Sequence, residues 1–79
     1  MKNQLYFYRK YTKGFETQLE FSEAVEIGYA AYGHKERGVY EFTLSEAIRV
    51  AEALEITVEK LHELLTTPFE YKKGEQLNE

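Results

Sequence analysis

Apolar residues along this chain recur mostly at spacings of three and four, the period of an amphipathic helix. The strongest run is Leu44, Ala47, Ile48, Ala51 and Leu54, with Thr43 or Ser45 available to start it. Upstream, Thr17 with Glu20 three residues later has the form of a capping box, and Phe21, Ala24 and Val25 supply the stripe behind it. A short helix from about Gly28 to Arg37 follows, closed by Gly38. Leu5, Tyr8 and Tyr11 suit one face of a first helix over residues 3–12, which Lys13-Gly14 ends. Thr57 caps a fifth helix that turns Val58, Leu61 and Leu65 inward, and Pro68 stops it. Tyr6-Phe7-Tyr8 and Val39-Tyr40-Glu41-Phe42 are too short to outweigh this pattern as strands, and the second reads as a loop carrying aromatics. The expected fold is all-α with five helices. It comprises a domain over residues 1–66 and a tail over residues 67–79, flexible or at a dimer interface.

Composition narrows the class. With 79 residues there is room for one domain and one modest core. Cysteine is absent, which removes disulfides and thiolate metal sites. No apolar run is long enough to span a membrane, and the first residues lack the pattern of a signal peptide, so a cytoplasmic location is expected. The net charge of −4 runs against phosphate binding, but its distribution is uneven. Residues 1–13 carry Lys2, Arg9, Lys10 and Lys13 with no acid, and His34-Lys35-Glu36-Arg37 is net basic. Residues 39–66 hold six Glu against Arg49 and Lys60.

The run from Thr17-Gln18 through Phe21-Ser22-Glu23-Ala24-Val25 to Glu36-Arg37-Gly38 resembles the phage Cro and cI repressor family, also called the xenobiotic-response-element type. The resemblance continues through Thr43-Leu44, Ala47 to Leu54 and Ile56 to Leu61 without a gap. It implies a five-helix, lambda-repressor-like domain with a helix-turn-helix at helices 2 and 3, and helix 3 in the major groove. By resemblance Tyr29, Ala30 and His34 contact bases, and Gln18, Lys35, Arg37 and Tyr40 contact the backbone. Ser22 takes the place of a small residue that lets the two helices approach. Members commonly dimerise through the last helix, which points to Leu61, Leu64, Leu65 and Phe69, with Tyr71 beside them.

Four departures from the family pattern are visible. Glu26 and Glu55 stand where the family has Gly, at positions that need a left-handed backbone. Lys35 replaces an apolar residue, so its stem must lie along apolar surface while its ammonium reaches out. One extra residue precedes Thr17; if it is Glu16, Lys10 takes the place of the family Arg that pairs with Glu36. The reading face of Gly28, Tyr29, Ala30, Ala31, Gly33 and His34 holds few polar readers, which shifts weight to phosphates and DNA shape. Gly33 within so short a helix costs about 1 kcal/mol relative to Ala, and close approach of the backbone to DNA is one compensation.

No catalytic constellation, metal-binding spacing or phosphate loop is present, so neither an enzyme nor a cofactor or metal is expected. The expected function is a sequence-specific regulator, a repressor, that binds a double-stranded DNA operator as a homodimer. The alternative is a protein-binding module on the same fold, which regulates another transcription factor or mimics DNA. The discriminator is whether Lys2, Arg9, Lys10, Lys13, Lys35 and Arg37 converge beside Gln18 and Tyr29.

Overall fold

Short polar side chains decide where most of the helices begin. The computed structural model describes residues 3–67. It places α1 at Gln4–Phe7, running directly into a π-helical turn at Tyr8–Thr12, then α2 at Gln18–Ala24 and α3 at Tyr29–Glu36. Next come α4 at Leu44–Leu54 and α5 at Val58–Thr66. There is no strand among the described residues. Asn3, Thr17, Thr43 and Thr57 each accept a hydrogen bond from the backbone N–H three residues on, filling one donor that the first helical turn leaves open. The reciprocal capping box forms at Thr43 and Glu46, which fixes the start of α4 at Thr43 and not Ser45.

The first helix is not α-helical throughout. The Lys13 amide bonds back to the Tyr8 carbonyl, five residues away, and this wider turn accommodates one residue more than an α-helix would. The consequence is a shift of phase. Arg9 turns inward and is 1% exposed, whereas Lys10 lies beside the rings of Tyr6 and Tyr11. The pairing with Glu36 expected of Lys10 is therefore made by Arg9.

The core comprises Leu5, Phe21, Val25, Ile27, Tyr32, Val50, Ala51, Leu54, Leu61 and Leu64. Aromatic rings run through it in sequence, Phe15 on Phe21, Phe21 on Tyr32 and Tyr32 on Phe42, with centroids 4.7, 5.3 and 6.0 Å apart. Helix α1 packs on α5, α2 on α3, and α4 on α5. Ser22 is buried where α2 meets α3, and its hydroxyl donates to the Leu19 carbonyl.

Several expected core positions lie elsewhere. Leu44 is 73% exposed and Ile48 41%, and the inward face of α4 is Ala47, Val50, Ala51 and Leu54. Apolar residues cover more than half of this helix, so the pattern is compatible with several phases. Packing against α5 selects one. On α5, Leu64 is buried beside Leu61, Leu65 is half-buried, and Val58 faces partly outward. Ala24 on α2 is exposed.

Both expected left-handed positions are found. Glu26, between α2 and α3, has φ 62°, and Glu55, which ends α4, has φ 61°. Each sits where an L side chain costs roughly 1–2 kcal/mol, because Cβ crowds the following carbonyl. The turn after α2 is kept nonetheless, since the Ile27 amide bonds to the Ser22 carbonyl and the Ile27 side chain enters the core.

Candidate nucleic-acid interface

Helix α3 presents two different faces. Tyr32 and Glu36 point inward, while Tyr29, Ala30, Ala31 and Arg37 are exposed and His34 is half-exposed. Ala30, His34 and Arg37 follow one another at spacings of four and three, so they form a single stripe along the helix. Arg37 Nη2 donates to His34 Nδ1 over 3.1 Å, and the His34 ring meets Tyr40 edge to face at 5.6 Å. Three of the expected contact residues thus lie together at the C-terminal end of this stripe.

Gln18, the first residue of α2, reaches across to α3. Its Nε2 donates to Glu36 Oε2 over 2.9 Å. Gly33 lies directly beneath it: a Cβ there would be 3.2 Å from Gln18 Oε1 and 3.3 Å from Arg37 Nη1. The absence of a side chain at position 33 brings the Gln18 amide and the Arg37 guanidinium over one patch of backbone. The close approach at Gly33 is therefore satisfied within the chain itself. A cleft of about 290 Å³ opens beside this pair, lined by Asn3, Tyr6, Gln18, Glu36 and Arg37.

Below the patch lies a buried polar network. Arg9 Nε and Nη2 donate to the two carboxylate oxygens of Glu36 at 2.7 and 3.2 Å, and Nη1 donates to the Phe15 carbonyl at 2.6 Å. The Asn3 amide donates to the Glu36 backbone carbonyl over 2.8 Å, so Asn3 caps the start of α1 and binds the end of α3 together. Burial works against the Arg9 charge, but the hydrogen bonds and charge of Glu36 outweigh it and raise the guanidinium pKa above its ordinary value. The Tyr32 hydroxyl is buried close to Glu36 and Arg9, and among the described residues it makes no hydrogen bond of ordinary geometry. Burial foremost, then the nearby Glu36 charge, pushes its pKa far up.

The remaining cations are dispersed. Lys35 Nζ is bound to Glu46 Oε1 at the start of α4, and both side chains are largely covered. Its stem lines an apolar groove with Phe42, Ala47, Val58 and Leu61, as expected of a Lys in an apolar position. Lys13 pairs with Glu55 at 2.8 Å, and Arg49 Nε donates to the Val25 carbonyl at the end of α2. Of the described members of the basic set, Arg37 alone is drawn to Gln18 through Gly33, while Arg9 is buried beneath, Lys10 lies against Tyr6 and Tyr11, and Lys13 and Lys35 are paired elsewhere.

The expected self-contact is also altered. Leu61 and Leu64 are 1% and 3% exposed in the chain's own core, which leaves Leu65 alone of the three partly open. Phe69 and Tyr71, like Lys2 and the tail from Pro68 on, lie outside the described residues. Sequence reasoning missed Asn3, Phe15 and Phe42. Asn before an apolar run is a capping signal that points to the first, but nothing local marks the two Phe as core.

The described residues form a small all-helical domain with no strand, and no helix among them is long and apolar enough to cross a membrane. Compared with known protein families, curated proteins and solved structures, the chain matches none.

Proposed function

We propose that the chain is a sequence-specific, double-stranded DNA-binding regulator with a lambda-repressor-like arrangement, α2 and α3 forming the helix-turn-helix and α3 entering the major groove. The observation that carries this reading is the meeting of Gln18 and Arg37 over Gly33, beside the exposed stripe of Ala30 and His34. An amide at the first residue of a helix and an exposed guanidinium are donors suited to a phosphate, and the helix start adds its own N–H groups. Ala30 and Ala31 offer methyl groups to thymine, and Tyr29 and His34 offer polar edges. With Lys35 held by Glu46, it is left out of the backbone contacts, which fall to Gln18, Arg37 and Tyr40. The activity is occupancy of an operator in the cytoplasm, as a homodimer and without enzymatic chemistry.

A protein-binding role on the same fold is the second reading. The ion pairs that occupy Lys13, Lys35 and Arg9 favour it, because they reduce the cationic surface open to phosphates. One experiment separates the two. Gel-shift binding to fragments from upstream of its own gene, and to a random duplex library, is measured across a salt series. The DNA reading expects affinity that falls steeply with salt, and loss on Gln18→Ala and on Arg37→Ala, the latter also flattening the salt slope by about one unit. Absence of binding at about 50 mM salt with micromolar protein gives the function to the protein partner.

A further inference from the structure

An apolar groove of about 340 Å³ runs along α5, and the DNA reading makes no use of most of it. Phe42, Ala47, Val58, Leu61 and Leu65 line it, together with Thr66. Thr66 is the last residue of α5, and Thr67 leaves the helix with an extended backbone, φ −109° and ψ 112°. The next residues are Pro68-Phe69-Glu70-Tyr71. Proline disfavours a helical conformation for Thr67 before it, so the chain leaves α5 next to a residue that lines the groove.

We infer that the groove is the docking site for the chain's own segment 68–71, with Phe69 and Tyr71 as the side chains that fill it. Three observations carry this. The first is length: from Thr66 back to Val58 is eight residues of helix, about 12 Å. Four extended residues span about 13 Å, so segment 68–71, folded back on α5, covers the groove. The second is alternation. In an extended segment Phe69 and Tyr71 fall on one face and Glu70 on the other, so two aromatic rings meet the groove while the carboxylate stays in water. The third is tethering. Phe69 follows Thr67 by two residues, and so short a link gives an effective concentration of order millimolar, above what a second copy reaches in dilute solution.

The test uses the full chain. In NMR spectra, nuclear Overhauser contacts are expected from the Phe69 and Tyr71 rings to the methyl groups of Leu65 and Val58, unchanged on dilution. Phe69→Ala is expected to lower the melting temperature by about 5 °C and to raise the fluorescence of a dye that binds apolar surface. Phe69→Leu is expected to restore most of both. Absence of ring-to-groove contacts in the intact chain overturns the inference. So does their appearance only between labelled and unlabelled copies, which assigns the groove to a dimer.

Discussion

At the scale of single residues, strain and cohesion sit at identifiable positions. Glu26 holds a left-handed backbone that glycine adopts without penalty. Glu26→Gly is expected to stabilise the domain by about 0.5–1 kcal/mol, after the added freedom of the unfolded chain is subtracted. A higher urea midpoint at constant slope is the readout, and an unchanged midpoint counts against strain at this turn. Arg9 and Glu36 work the other way. Each is almost fully buried and each satisfies the other. Glu36→Gln leaves the Arg9 charge unpaired in the interior, at a cost of about 3–5 kcal/mol, and deprives Gln18 of its charged acceptor. Thermal melts of Glu36→Gln and of the double variant Arg9→Met, Glu36→Leu check this. The double variant is expected to melt above the single one, because an apolar pair leaves no buried charge unmatched.

At the scale of elements, the junction of α3 and α4 depends on Glu46. Its carboxylate accepts from the Thr43 backbone N–H in the capping box and also binds Lys35 from α3. The Lys35 hydrogen bond first, and then the Thr43 N–H, hold the Glu46 carboxyl below the usual carboxylate range. A folded pKa below the unfolded one gives a stabilisation that is complete above the unfolded value, about 4.3, and is lost as pH falls through the folded one. Stability is therefore expected to be level above about pH 5 and to decline in more acid solution, with a shallower decline in Glu46→Gln. Urea midpoints between pH 6 and pH 3 measure it, and equal slopes for the two proteins refute the assignment. The elements were readable in the sequence to a useful depth. All four helix starts with a polar cap follow local chemistry, and three of them, at Thr17, Thr43 and Thr57, were among the expected sites. The π turn at Tyr8–Thr12 was not, because its cause is tertiary: it turns Arg9 toward Glu36, twenty-seven residues away.

At the scale of the whole molecule, Gly33 links fold to proposed function. Alanine there gains about 1 kcal/mol of helix propensity. Its Cβ also presses on the ends of two flexible side chains, Gln18 and Arg37. Gly33→Ala is thus expected to keep or raise stability and, on the proposed DNA reading, to weaken binding several-fold, since both proposed phosphate donors must shift. A urea melt and a gel-shift titration on the same preparation show whether the two effects separate. Retained affinity would mean that the meeting of Gln18 and Arg37 has no part in binding.

The sequence by itself determined the number and order of the helices and the polar caps at Thr17, Thr43 and Thr57, because these depend on interactions within a few residues. Only the tertiary structure decided which apolar residues are core. Leu44 and Ile48 match the helical period as well as Val50 does, and only packing in the folded chain distinguishes them. The tertiary structure likewise decided the fate of each cation. Arg9, Lys13 and Lys35 found Glu36, Glu55 and Glu46 at separations of 27, 42 and 11 residues. Charge along a chain does not foretell such pairings, since they depend on which elements come together.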